Sequence, residues 1–251
     1  MSYSITGVAY LVLLFPVGFL IYRLFQYWKK EKSAVSKQAL YIASLFGLFV
    51  LIDAISGLFF ADSPLPPVLS KKIEVGVFIQ ALIFAVIAYH IIYLKFPKIS
   101  PWLGFIPVLV LGLIAAILSV VLLQFNPFLE ASGAINWGFP SSSMAVFVSS
   151  LRLFLSLITI IPLSIIFLSQ FKNSEDPYIR AKSLGLGLAF LFILIVASFD
   201  FLFINTFNLG AIGRDIALIV CSIILFITLI LTMPRPLSGP SSYYIKTSNK
   251  L

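Results

Sequence analysis

Three charged side chains stand where charge is expensive: Asp53, Arg152 and Asp200, each deep inside a long apolar run. A charge at the centre of a bilayer costs about 2.5–3.5 kcal/mol on insertion scales, so it persists where it pairs or faces a cavity. From the ends of their runs, a rise of about 1.5 Å per residue places Asp53 and Asp200 roughly 10 Å, and Arg152 roughly 12 Å, below one face of the membrane. Two negative groups and one positive group at one level predict an ion cluster in the outer half. Ser149, Arg152, Ser156 and Thr159 recur at spacings of three, four and three, which makes one inward polar stripe on a helix. Asp53, Ser56 and Gly57 form a polar, small face on another. Glu74, Arg214 and Asp215 fall nearer the outer end of their runs and are expected at the rim.

Such a cluster admits three roles. It can lock helices together and bind nothing. It can line an outward cavity in which Arg152 clamps an anionic group or bridges the two carboxylates. It can belong to an ion or proton path. A path needs polar residues on both sides of the midplane, and the inner half offers only Tyr89, His90, Thr159 and Ser164; this favours an outer pocket. His90, the lone histidine, reads as an interfacial polar residue beside Tyr89 and Tyr93.

The elements that position these groups follow from composition. Of 251 residues, 61% are hydrophobic and 10% charged, with a mean hydropathy of +1.10. Soluble domains carry about 25% charged residues. The chain has too few charges to cover a water-facing surface, which excludes a soluble enzyme, a nucleic-acid module and a disordered chain. The expected fold is all-α, an integral membrane bundle of seven transmembrane helices. The predicted spans are 8–28, 38–60, 73–94, 101–125, 144–171, 184–207 and 214–233, each near the roughly 20 residues a crossing needs. They must be helices, since lipid offers backbone groups no partner, and a barrel would show alternating segments of about ten residues. Residues 1–233 form the membrane domain, and 234–251 a short cytoplasmic tail too small to fold alone.

Pro16, Pro107 and Pro162 lie within spans and are candidate kinks. The pairs Ala43/Gly47 and Gly112/Ala116, with Ser183, Gly185, Gly187 and Ala189, suit close helix contacts. The longest outer loop, 126–143, carries Trp137 and Phe139 and is expected to cap the bundle or lie on the membrane. A faint likeness between the second and sixth spans, Asp53 matching Asp200, carries no weight as a repeat.

Thirteen Lys and Arg fall in the loops and tail on one side and three on the other. The positive-inside rule therefore predicts N-out and C-in. The first span has no positive N-terminal flank and reads as an uncleaved anchor. The single cysteine, Cys221, allows no intrachain disulfide. No metal spacing, HExxH, GxSxG or Walker pattern occurs, and the seventh span lacks a lysine for retinal. No cofactor and no enzymatic activity are expected.

The stretch Asp176-Pro177-Tyr178-Ile179-Arg180-Ala181-Lys182, leading through a Gly-rich helix start to Asp200, together with seven N-out spans, resembles the N-terminal seven-helix membrane regions of some prokaryotic sensor histidine kinases. No kinase follows Met233 in this sequence, so the resemblance implies a signal leaving through a partner on the cytoplasmic loops or tail. The expected function is a sensor or receptor-like protein of the cell membrane, binding a small polar or anionic ligand from outside through Asp53, Glu74, Ser149, Arg152, Ser156, Asp200, Arg214 and Asp215. Its partners are the lipid bilayer and a cytoplasmic signalling protein, and not nucleic acid. A small secondary transporter and a non-catalytic subunit of a complex are the alternatives.

Overall fold

The computed structural model describes residues 3–59, 68–123, 125–138, 142–199 and 210–234. Asp200, Phe139 and the tail beyond Pro234 lie outside them. Seven helices long and apolar enough to cross a membrane run from Ile5–Glu31 (α1), Ala34–Phe59 (α2), Val68–Lys95 (α3), Trp102–Leu122 (α4), Ser143–Asn173 (α5), Pro177–Phe199 (α6) and Gly210–Thr232 (α7). The protein is a multi-pass, seven-helix membrane bundle. Side chains such as Phe15, Val121, Ile165 and Leu231 point outward, as a lipid-facing surface requires.

The sixth helix begins seven residues before the expected start. Asp176 explains this: its Oδ1 accepts from the backbone N–H of Tyr178 at 2.8 Å and of Ile179 at 3.4 Å, an N-cap placed before Pro177. Proline fits the first helical position because its missing N–H would have no partner there. The motif read as a loop is thus the helix's first turn.

In the core, α1 packs on α2 and α7, α3 on α4, and α5 on α6; α3 lies between α2 and α5, in contact with both. The α4 helix is peripheral. It buries only Gly112, Ala115, Ala116 and Ser119, the small stripe that lets it approach Ala81 of α3. Gly7 of α1 and Gly57 of α2 lie backbone to backbone. A Cβ on Gly57 would sit 2.6 Å from the Gly7 Cα, so a larger residue would push the helices apart.

The long loop folds over the bundle as a hairpin. Strands Phe128–Leu129 (β1) and Ile135–Asn136 (β2) pair antiparallel, Leu129 opposite Ile135. Gly133 turns the chain at φ +80°, a conformation suited to glycine. Its carbonyl accepts from Ile5 N at the start of α1, at 2.9 Å, and Trp137 is buried beneath it. Of the two expectations for this loop, capping is the one realised.

Candidate functional site

At the hairpin end, the first turns of α1 and α7 are joined to the hairpin by polar bonds. Thr6 Oγ1 donates to Asp215 Oδ2 at 2.5 Å and accepts from Ile135 N at 2.7 Å and from Arg214 at 3.2 Å. That uses the hydroxyl's one proton and both lone pairs. The Arg214 Nε lies 2.8 Å from Asp215 Oδ1, and its terminal nitrogen donates to the Ile135 carbonyl at 2.8 Å. Glu130 Oε1 accepts from Ala211 N at 3.2 Å and from the Asn136 side chain at 3.0 Å, placing negative charge at the positive end of the α7 dipole.

Arg214 and Asp215 are therefore not at a rim. They are 1% and 0% exposed, because the hairpin folds down onto them. Glu74, by contrast, pairs with Lys71 one turn away on the α3 surface, at 2.9 Å.

Asp53 is also buried, and it forms an ion pair with Lys72 of α3. The Lys72 ammonium sits 3.6 Å from the centre of the Trp137 ring, and the Arg214 guanidinium lies 5.8 Å from the same ring. Trp137 thus has two cations within about 6 Å of its ring centre, an interaction its negative faces favour.

Arg152 is engaged deeper. Its Nε and a terminal nitrogen donate to Gln80 Oε1 of α3 at 2.9 and 2.6 Å. Lys72 and Gln80 are eight residues apart, so the α3 partners of Asp53 and Arg152 are separated by about 12 Å along the helix. Asp53 and Arg152 thus meet α3 at positions about two turns apart, while Asp200, the third member of the expected cluster, lies outside the described residues. Because α3 lies between α2 and α5, it supplies Asp53 and Arg152 each with a partner.

The serine stripe turns inward, but its hydroxyls are mostly self-satisfied. Ser156 donates to the Leu153 carbonyl at 2.8 Å and Thr159 to the Leu155 carbonyl at 2.7 Å, while Ser149 is half-buried. Among the described residues, no set of three His, Cys, Asp or Glu could hold a metal.

Arg152 and Gln80 line a cavity of about 80 Å³, together with Tyr10 of α1, Phe46 of α2, Phe84 of α3 and Ile193 of α6. A single water needs about 10–15 Å³, so there is room for a few waters. Pockets for drug-sized ligands run to about 300–1,000 Å³. The space suits waters or one small ion.

Further along α3, His90 is fully buried within the bundle. Its Nδ1 bonds the Gln38 side-chain oxygen of α2, its Nε2 has no partner among the described residues, and its ring lies 6.1 Å from that of Phe167. At the end opposite the hairpin, Glu31 accepts from Lys182 at 2.5 Å, from Tyr178 at 2.9 Å and from Ser36 at 3.2 Å. This ties α1, α2 and α6. Tyr27 packs under Lys182 and donates to the Pro234 carbonyl at 2.7 Å, adding the exit of α7.

Gln80, Lys72, Thr6 and Glu31 were missed by a search for deep charges. Gln80 carried a usable signal, since an amide within an apolar span also demands a partner. Thr6 and Glu31 sit at helix ends, where polar residues are ordinary, and nothing in their spacing distinguishes them. No family model, no curated protein and no solved structure matches the chain.

Proposed function

We propose that the protein is a sensor or receptor-like membrane module whose responsive site is the Gln80–Arg152 cavity. One observation carries this reading: a half-buried guanidinium lines a partly open cavity between helices, bonded to an amide on a neighbouring helix. The cavity is too small for a large ligand, and its guanidinium and amide suit a small polar molecule or anion that can share their hydrogen bonds. Its walls come from five helices, so a change of occupant bears on all of them together. The Glu31–Lys182 bonds give that change a route to the far end, where a partner would read it. In this proposal the hairpin end faces outside, as the distribution of Lys and Arg implies, and the membrane is the cell membrane.

A second reading, a small ion-coupled carrier, draws support from His90 and Gln38. They extend buried polar groups to the other side of the cavity, where the sequence suggested few. One reconstitution separates the two. In proteoliposomes carrying a pH gradient, the sensor gives no flux above empty vesicles, whereas a carrier does. In detergent, chloride, nitrate or formate should raise the unfolding temperature of the wild type and leave Arg152→Gln unmoved. If none of the three shifts the wild type, the cavity binds no small anion and the sensing proposal fails.

A further inference from the structure

We propose that the turn between α3 and α4, at the end opposite the hairpin, seats the headgroup of an anionic phospholipid. It lies apart from the Arg152 cavity and stands whether or not that cavity binds anything.

The sequence isolates this turn. Lys95 and Lys98 are the only Lys, Arg, Asp or Glu residues between Glu74 and Glu130. After Lys95 ends α3, Ile99 N donates to the Phe96 carbonyl at 2.9 Å and closes a tight turn. Pro97 takes the second position, which its fixed φ suits, and Lys98 the third, at the tip. The chain enters α4 directly afterwards, with the Pro101 carbonyl accepting from Phe105 N at 3.2 Å.

The level of the membrane here follows from α4. Its 21 residues extend about 31 Å, which matches a hydrocarbon core of about 30 Å. It is the most apolar of the seven helices, and its one hydroxyl, on Ser119, donates to the Ala115 carbonyl at 2.7 Å. Trp102, the first residue of α4, therefore stands at the edge of the hydrocarbon. Lys95 and Lys98 stand just beyond it, in the headgroup layer.

The surface is held in place and open. Trp102 lies edge-on to Tyr89 of α3, with centroids 5.6 Å apart, and to Phe105, at 5.1 Å. Gly104 lets α4 approach α3 so closely that a Cβ there would sit 2.9 Å from the Ala88 carbonyl oxygen. Trp102 is nonetheless 54% exposed, and Phe96, Ile99 and Leu103 are exposed beside it. Both lysines are exposed, and neither pairs with a carboxylate among the described residues.

Two ammonium groups above an apolar, aromatic floor match a phosphate diester with its chains beneath. The cations meet the phosphate, and the rings and Ile99 meet the first methylenes. A zwitterionic lipid brings its own cation with its phosphate and gains less. An acidic soluble protein would meet the lysines and leave four apolar side chains at the hydrocarbon edge unused. A second copy would bring the same two cations.

The test reads lipid at the turn itself. The chain has three tryptophans, and Trp137 is buried under the hairpin at the far end. Trp28→Phe then leaves Trp102 as the indole open to lipid. The full-length Trp28→Phe protein is placed in nanodiscs of mixed phosphatidylcholine and phosphatidylglycerol, with brominated chains on one lipid or the other. Quenching of Trp102 gives the relative affinity of the two. At roughly fivefold for each cation near the surface, phosphatidylglycerol should be preferred about twenty-five-fold. Adding Lys98→Gln should leave about fivefold, and adding Lys95→Gln/Lys98→Gln should leave none. Both positions are exposed, so the fold is retained. Lys29→Gln/Lys172→Gln removes two exposed cations elsewhere and should leave the preference intact. The proposal is overturned if both lipids quench alike with the lysines present, if the preference survives Lys95→Gln/Lys98→Gln, or if Lys29→Gln/Lys172→Gln removes as much. It is also overturned if neither lipid quenches Trp102, since protein would then cover the turn.

Discussion

The hairpin end and the middle of the bundle each hold an arginine, Arg214 fully buried and Arg152 half-buried, and they treat it differently. Arg214 spends its donors on Asp215, Thr6 and the Ile135 carbonyl, with Trp137 beside it. That cluster joins α1, α7 and the hairpin. Arg152 donates to the amide oxygen of Gln80 on α3 and lines a cavity between helices. Buried charge alone therefore does not mark a binding site. A charge that closes a network holds the fold, while a charge bordering a cavity can respond to what enters it.

The largest effect should come from the closed network. Arg214→Ala strands Asp215 and the Ile135 carbonyl in a buried setting, and breaking a buried pair this way costs about 3 kcal/mol or more. Equilibrium unfolding in mixed micelles measures it; a loss below about 1 kcal/mol would mean the hairpin lifts and lets water in. Gln80→Leu is expected to cost less, about 1–3 kcal/mol, the usual price of leaving buried donors without an acceptor. Its effect should shrink if the cavity's occupant can take over the Arg152 bonds. Should Gln80→Leu prove more damaging than Arg214→Ala, the contrast between the two regions is reversed. The smallest change is Lys71→Ala. Its exposed pair with Glu74 is worth about 0.5 kcal/mol or less, and unfolding curves should nearly superimpose on the wild type.

Much of the fold was legible in the chain. Seven apolar stretches imply seven helices, since no other structure satisfies the backbone in lipid. Gly112 and Ala116 announced a close contact that α4 indeed makes with α3. The Gly7–Gly57 contact between α1 and α2 was not legible, because lone glycines lack a spacing that reveals which helices will meet.

The candidate site was legible only in part. Asp53 and Arg152 were recognisable as costly, and each is found with a partner on α3; Arg214 and Asp215, expected at a rim, are buried and paired. Their partners were not recognisable, and Asp200 lies outside the described residues. Composition and segment length decide that the chain crosses the membrane seven times, because both concern transfer into lipid, residue by residue. Which charge meets which partner was settled by the placement of α3 between α2 and α5 and by the fold of the hairpin. Those are contacts between residues far apart in sequence, and they depend on how whole helices pack, which no local pattern encodes.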